Sequence, residues 1–211
     1  MTRVACCVAT ALALTALAPR VGHAERATPS WAEYHGERET SLAWRALAEG
    51  RPARAQAHAD RATELLPEAL TGWAVSTRAA MGRGDWPAAY DAVTALRKLA
   101  PDDAQGLDLL GRVAVELGQG AQARQAFEAL RGLEPDLVAP QLGLALVSAR
   151  VDKDVPRAIG ELRAAQALSD NLDLAVLLLQ PSWTVLAQDE AFVEALNALL
   201  AAQNENGPPA R

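Results

Sequence analysis

Alanine and leucine recur at the three- and four-residue spacing of helix faces along most of this chain, and the same positions return every 34 residues. Pro67, Pro101 and Pro135 keep that interval, as do Gly50, Gly84 and Gly118. Ala55, Ala89 and Ala123 keep it too, together with Leu65, Leu99 and Leu133. Each copy predicts two helices. The glycine stands where the first must stop, because it tolerates positive φ. The aligned alanine falls inside the second helix, and the proline follows it, where it cannot continue the helix. Gly84-Asp85-Trp86-Pro87 reads as a stop and a restart, with Asp85 as cap and Pro87 in the first turn.

A fourth, looser copy follows. Leu144 and Ala145 match Leu110 and Gly111 at a spacing of 34, whereas Ala158 and Leu168 match Ala123 and Leu133 at 35. One extra residue therefore belongs in the turn within 151–156, where Asp154 and Pro156 repeat the restart. Ser30-Trp31-Ala32-Glu33 predicts a capping box for the first helix. Asn171 to Gln180 predicts a short apolar helix stopped by Pro181, and Asp189 a cap for a last helix carrying Phe192, Leu196, Leu199 and Leu200. The expected organisation is a cap over 25–35, repeats over 36–69, 70–103, 104–137 and 138–170, capping helices over 171–202, and a disordered tail from 203 to 211.

The period and its residue types resemble the tetratricopeptide repeat, whose pattern is W-x2-L-G-x2-Y, then A-x3-F, then P. Leu107, Leu110, Gly111, Ala114, Ala123, Phe127 and Pro135 carry it in the third copy. The second keeps Trp73, Ala89, Val93 and Pro101 but has Ser76 and Thr77 for the Leu-Gly pair. The first keeps Leu42, Ala43, Ala55 and Pro67 but has Ala59 where a large apolar residue is usual. The match covers about residues 36–169. The resemblance implies an all-α fold, an α-solenoid of stacked antiparallel helix pairs in a right-handed superhelix, with about four repeats plus C-terminal capping helices. It also implies a concave groove lined by the first helices, in which a protein or peptide lies.

Carrying over the groove positions gives Trp44 and Leu47 from the first copy, Arg78 and Met81 from the second, Asp108, Arg112, Val115 and Glu116 from the third, and Leu142, Leu146 and Arg150 from the fourth. Arg78 and Arg112 are 34 apart and are expected to point the same way. Two guanidinium groups there would fork onto a partner's carboxylate; the alternative is that each pairs with a nearby acid such as Asp108 or Glu116. Trp44 and Met81 are either an apolar anchor site or core packing. Trp73 and Trp86 read as packing residues. The Lys and Asn pattern with which some family members grip a C-terminal carboxylate is absent, since Thr40, Ala74, Asp108 and Leu142 stand there.

Composition narrows the function classes. The 211 residues are half apolar, enough for a sizeable core, and only 4% aromatic. A net charge of -6 provides no nucleic-acid footprint. Thr2 and Arg3 precede an apolar run from Val4 to Ala18, with Gly22 and Ala24 as the small residues before a cut. This is the layout of a secretory signal, too short for a membrane span. Cleavage after Ala24 is expected, leaving a periplasmic or secreted chain without a membrane span. Its charge is -6 - 2 = -8 once Arg3 and Arg20 are lost, and it has no thiol once Cys6 and Cys7 are gone. His35 and His58 lie 23 residues apart without a further ligand at metal spacing, so no metal or cofactor is expected. No nucleophile or phosphate-loop motif stands out, so the expected protein is a non-enzymatic binder of a protein or peptide. The alternative is a structural subunit of an envelope, outer-membrane or cell-wall assembly, motivated by the apolar stretch from Leu172 to Leu179.

Overall fold

The computed structural model describes residues 29–169, 172–177 and 179–206. The expected leader and residues 207–211 lie outside them. Four helix pairs follow one another: α1 (Trp31–Ala48) with α2 (Pro52–Leu65), α3 (Leu70–Gly82) with α4 (Trp86–Leu99), α5 (Ala104–Glu116) with α6 (Gly120–Leu133), and α7 (Val138–Arg150) with α8 (Val155–Leu168). Each helix packs on the next, and the first helices α1, α3, α5 and α7 also touch their counterparts in the neighbouring pairs. This is an all-α solenoid.

Local chemistry sets the helix ends. Ser30 Oγ accepts from the Glu33 amide at 3.2 Å, while Glu33 Oε2 accepts from the Ser30 amide at 2.5 Å, closing a capping box. Asp85, Asp103 and Asp154 cap α4, α5 and α8 by accepting from the amides of Ala88, Gly106 and Arg157 at 3.3, 2.6 and 3.1 Å. Within each of the first three pairs the turn passes through a left-handed glycine: Gly50, Gly84 and Gly118 have φ of 69°, 70° and 70°. The amides of Arg51, Asp85 and Gln119 then bond back to the carbonyls of Ala46, Ala80 and Ala114. In the fourth pair Lys153 takes the left-handed place at φ 58°. The Asp154 amide reaches back to Ser148, the counterpart of those alanines, across one residue more. The extra residue thus sits in the expected turn. That turn is anchored to the preceding pair, since Arg124 of α6 bonds Asp152. Arg124 also donates to the buried Ser148 Oγ at 3.1 Å, and Ser148 donates to Glu161 of α8 at 2.7 Å.

The core runs along the stack as a chain of small contacts. Ala55, Ala89, Ala123 and Ala158 are all fully buried at equivalent places in consecutive pairs. The largest cluster lies at the C-terminal end, where Phe127, Leu144, Leu162, Trp183 and Phe192 meet.

Beyond α8 the chain departs from expectation. Only Leu174–Leu177 forms α9, and Pro181 begins a helix, α10 (Pro181–Thr184), instead of ending one. Proline suits a first helical position, where its missing N–H has no partner to lose. A 3-10 turn (Val185–Gln188) leads to α11 (Glu190–Asn206), whose start is capped by Asp189 accepting from the Phe192 amide at 3.1 Å. Helix α11 continues into the stretch expected to be a disordered tail. No helix among the described residues is long and apolar enough to cross a membrane.

Candidate functional site

All the expected groove residues except Val115 and Arg150 line two adjoining pockets. The larger is a cleft of about 630 Å³ walled by Met81, Asp108, Arg112, Glu116, Leu142 and Leu146. Five residues outside the expected set complete its sides: Gly82, Trp86, Phe127, Ala139 and Gly143. Leu177, Gln180, Ser182 and Trp183 close one end, so the cleft is blind towards the C-terminal cap. Trp183 is itself buried and packs against Phe192, with ring centroids 6.3 Å apart. A second, more open pocket of about 460 Å³ is formed by Trp44, Leu47, Ala48, Arg78 and Met81. Met81 lines both, so the two are neighbours on the groove. Val115 does not reach either surface. It is 3% exposed and packs into the core with residues of α7, which leans over that side of α5. Leu146 is 5% exposed yet still contributes to the cleft wall.

The charges inside the groove are mostly satisfied by one another. Arg112 Nε bonds Asp108 at 3.0 Å within α5. Arg150 forks onto Glu116, Nη1 to Oε1 at 2.5 Å and Nη2 to Oε2 at 3.0 Å, and Nη1 also donates to the Ser182 carbonyl at 3.2 Å. Arg150 and Glu116 hold the same position in successive repeats, so this fork ties α5, α7 and the cap together. Arg78 differs. Its guanidinium lies over the Trp44 ring, 5.6 Å from the centroid, and its Nε is buried without a hydrogen-bond partner. Arg78 and Arg112 therefore do not act as a stacked pair: they line separate pockets, one on an aromatic ring and one on an acid. Trp44 and Met81 both line the open pocket.

The histidines are engaged elsewhere. His35 packs against Trp31 in a tilted pair with centroids 4.4 Å apart, and His58 Nδ1 lies 2.7 Å from Glu39 Oε2. Among the described residues, no group of three or more His, Cys, Asp or Glu is placed to hold a metal ion.

No family model and no curated protein matches the sequence. Solved structures do match. A thermophilic TPR protein of Thermus thermophilus superposes with a TM-score of 0.62 at 19% identity, over 80% of this chain and 90% of that one. MamA of Desulfovibrio magneticus gives 0.63 at 16% identity, over 83% and 98%. PilF of Pseudomonas aeruginosa gives 0.63 at 17% identity, over 86% and 80%. This chain has the tetratricopeptide-repeat fold.

Within that fold the sequence pointed to the first helices and stopped there. Of the parts of the tetratricopeptide-repeat groove that it missed, Gly82, Ala139 and Gly143 lie on the first helices α3 and α7, and the others come from elsewhere. Trp86 opens α4 and Phe127 lies in α6, both second helices, and the blind end is built by the irregular cap. The Gly143–Phe127 contact carried a signal, since a large residue at position 127 needs small neighbours. The cap carried none, because its one-turn helices are too short to show a period.

Proposed function

We propose that this chain is an exported, non-enzymatic protein that holds a segment of another protein in its concave groove. The observation that supports this most directly is the cleft of about 630 Å³, apolar on most sides, blind at one end, and internally ion-paired at every charged residue that lines it. Such a cleft favours an apolar side chain and offers no unpaired acid-base group for chemistry. Its walls stand on helices, which hold the site rigidly before binding and reduce the ordering cost of association.

Placing a carboxylate in the cleft tests the reading. Ala139 lines it in the first turn of α7, where an acid suits the helix dipole, so Ala139→Glu should fold. A partner cross-linked to the native protein in the cell envelope should be lost with this variant, while the melting temperature changes little. Undiminished cross-linking would place the binding surface elsewhere. Export is tested separately by N-terminal sequencing. A chain beginning at Glu25 in the envelope fraction supports it, and an intact Met1 in the cytosol refutes it.

A second reading, a structural subunit of an envelope or cell-wall assembly, is favoured by one patch. Val176, Leu179 and Val185 of the cap are 53%, 79% and 60% exposed, although their neighbours Leu174, Leu177 and Leu186 are buried. Sedimentation decides between the two: a self-association abolished by Leu179→Glu supports the subunit reading, and a monomer at all concentrations removes it.

A further inference from the structure

Within the two pockets just described, Arg78 is a cation without a counter-ion. The lining residues that carry charge are Arg78, Asp108, Arg112 and Glu116. Asp108 and Arg112 neutralise each other, and Glu116 is neutralised by Arg150. Arg78 pairs with no acid among the described residues; it rests on the Trp44 ring and keeps a buried Nε–H unsatisfied. Buried polar groups are nearly always hydrogen-bonded, so an orphaned donor at a pocket wall calls for an explanation. The Trp44 ring takes one side of the guanidinium, 5.6 Å from its centroid, and a carboxylate is the planar acceptor that would complete the pairing of this cation.

The geometry points to a two-point reading of the bound segment: a bulky apolar side chain enters the blind cleft, and a side-chain carboxylate of the same segment pairs with Arg78 on the Trp44 shelf. This rests on the peptide-holding function proposed above and adds the chemistry of the guest. Met81 lines both pockets and so stands between the two points, where one extended segment would run over it as its track. The polarity of the track selects the source of the carboxylate. A chain terminus would suit the blind end, but the cations there are already paired with Asp108 and Glu116. The free cation stands at the open end, towards the first hairpin, where a guest chain continues. The acid is therefore an internal Asp or Glu.

The test selects short random peptides displayed on phage against the purified protein with its natural N-terminus. Selected sequences are then remade with blocked termini and titrated by fluorescence anisotropy. Enriched peptides should share an Asp or Glu at a constant spacing from a Trp, Phe or Leu. Changing that acid to its amide should weaken binding about tenfold or more, as expected for a charge-assisted hydrogen bond. Arg78→Gln should cause the same loss, the two losses should not add, and the amide peptide should be indifferent to Arg78→Gln. Rising salt should weaken only the acidic peptide. The amide change needs no variant protein, so misfolding cannot imitate it. Peptides that bind and are lost with Ala139→Glu, yet show no selected acid or no dependence on Arg78, overturn the two-point reading and leave the groove function standing. Failure to select any peptide, or binding indifferent to Ala139→Glu, overturns both.

Discussion

Phe127 fills a position that holds Ala59 in the first hairpin, Val93 in the second and Leu162 in the fourth. The helices on either side make room for its ring with glycine. A Cβ at Gly111 would stand 2.5 Å from Cζ of Phe127, and one at Gly143 would also run into the ring. Where the ring position is alanine, the flanking counterparts are Ala43 and Val75, and those three pack together. Where it is valine, Leu109 packs against it. The layers thus exchange volume between the second helix and the two first helices around it, as close packing requires. Gly143→Ala should cost about 1–3 kcal/mol by overpacking, and Phe127→Ala about 3–5 kcal/mol by leaving a cavity. Gly143→Ala combined with Phe127→Leu should cost less than the sum of its parts, with a coupling of about 0.5–3 kcal/mol in urea unfolding. Simple additivity would show that the ring and the glycine do not share space. Part of this was legible, because Ala59 stood out where a large residue was expected. The compensation was not, since the 34-residue register gives the columns but not which columns face each other.

At the element scale, the three glycines that turn each first helix into its second have nothing within 4 Å of a notional Cβ. Their requirement is conformational alone, so Gly84→Ala should cost about 1–2 kcal/mol, the penalty of a left-handed L-residue. Lys153 already carries that penalty at φ 58°, and Lys153→Gly should raise stability by up to about 1 kcal/mol. A fall in the urea midpoint for Lys153→Gly would mean that the Lys153 side chain compensates for its backbone. The first helix offers a pH signature. The backbone amide of Ser30, and then its hydroxyl, hold the Glu33 carboxyl below the ordinary glutamate value. A depressed folded-state value means that the contribution is present above the unfolded glutamate range and is lost as pH falls through the folded one. Protection factors of amides at the start of α1, corrected for the intrinsic exchange rate, should therefore fall on acidification below that range, and Glu33→Gln should remove this pH dependence. The helix ends that rest on Ser30, Asp85, Asp154 and the three glycines were readable, because each of these residues acts within a few residues of itself. Pro181 is ambiguous at that same short range. Proline ends one helix and begins the next with equal ease, and only the packing of Leu174, Leu177 and Trp183 on the core decides which.

For the whole molecule, a stack in which each hairpin touches only its neighbours gains no stability from distant contacts, so its ends are held by whatever the adjacent pair supplies. The period made this architecture legible. The closed end of the groove was not, because it depends on where an aperiodic segment crosses the last hairpin. Arg150 is the side chain that couples that segment to the array. It bonds Glu116 of the previous hairpin at 2.5 and 3.0 Å and the Ser182 carbonyl at 3.2 Å, with about a fifth of each charged side chain exposed. Hydrogen bonds to charged groups contribute about 1.5–3 kcal/mol, so Arg150→Gln should destabilise by that order and leave Glu116 half-buried without its cation. Because coupling runs only between neighbours, the loss should be local. Amides of residues 174–188 should exchange faster, while those of α1 to α4 keep their protection. Arg112→Gln is the control, since its exposed i,i+4 pair with Asp108 should contribute only about 0.2–0.5 kcal/mol. The local loss should also open the blind end of the cleft, so a guest anchored there would dissociate faster from Arg150→Gln than from Arg112→Gln. Uniformly faster exchange along the whole chain would instead mean that the hairpins unfold as one cooperative unit and that Arg150 stabilises the stack as a whole.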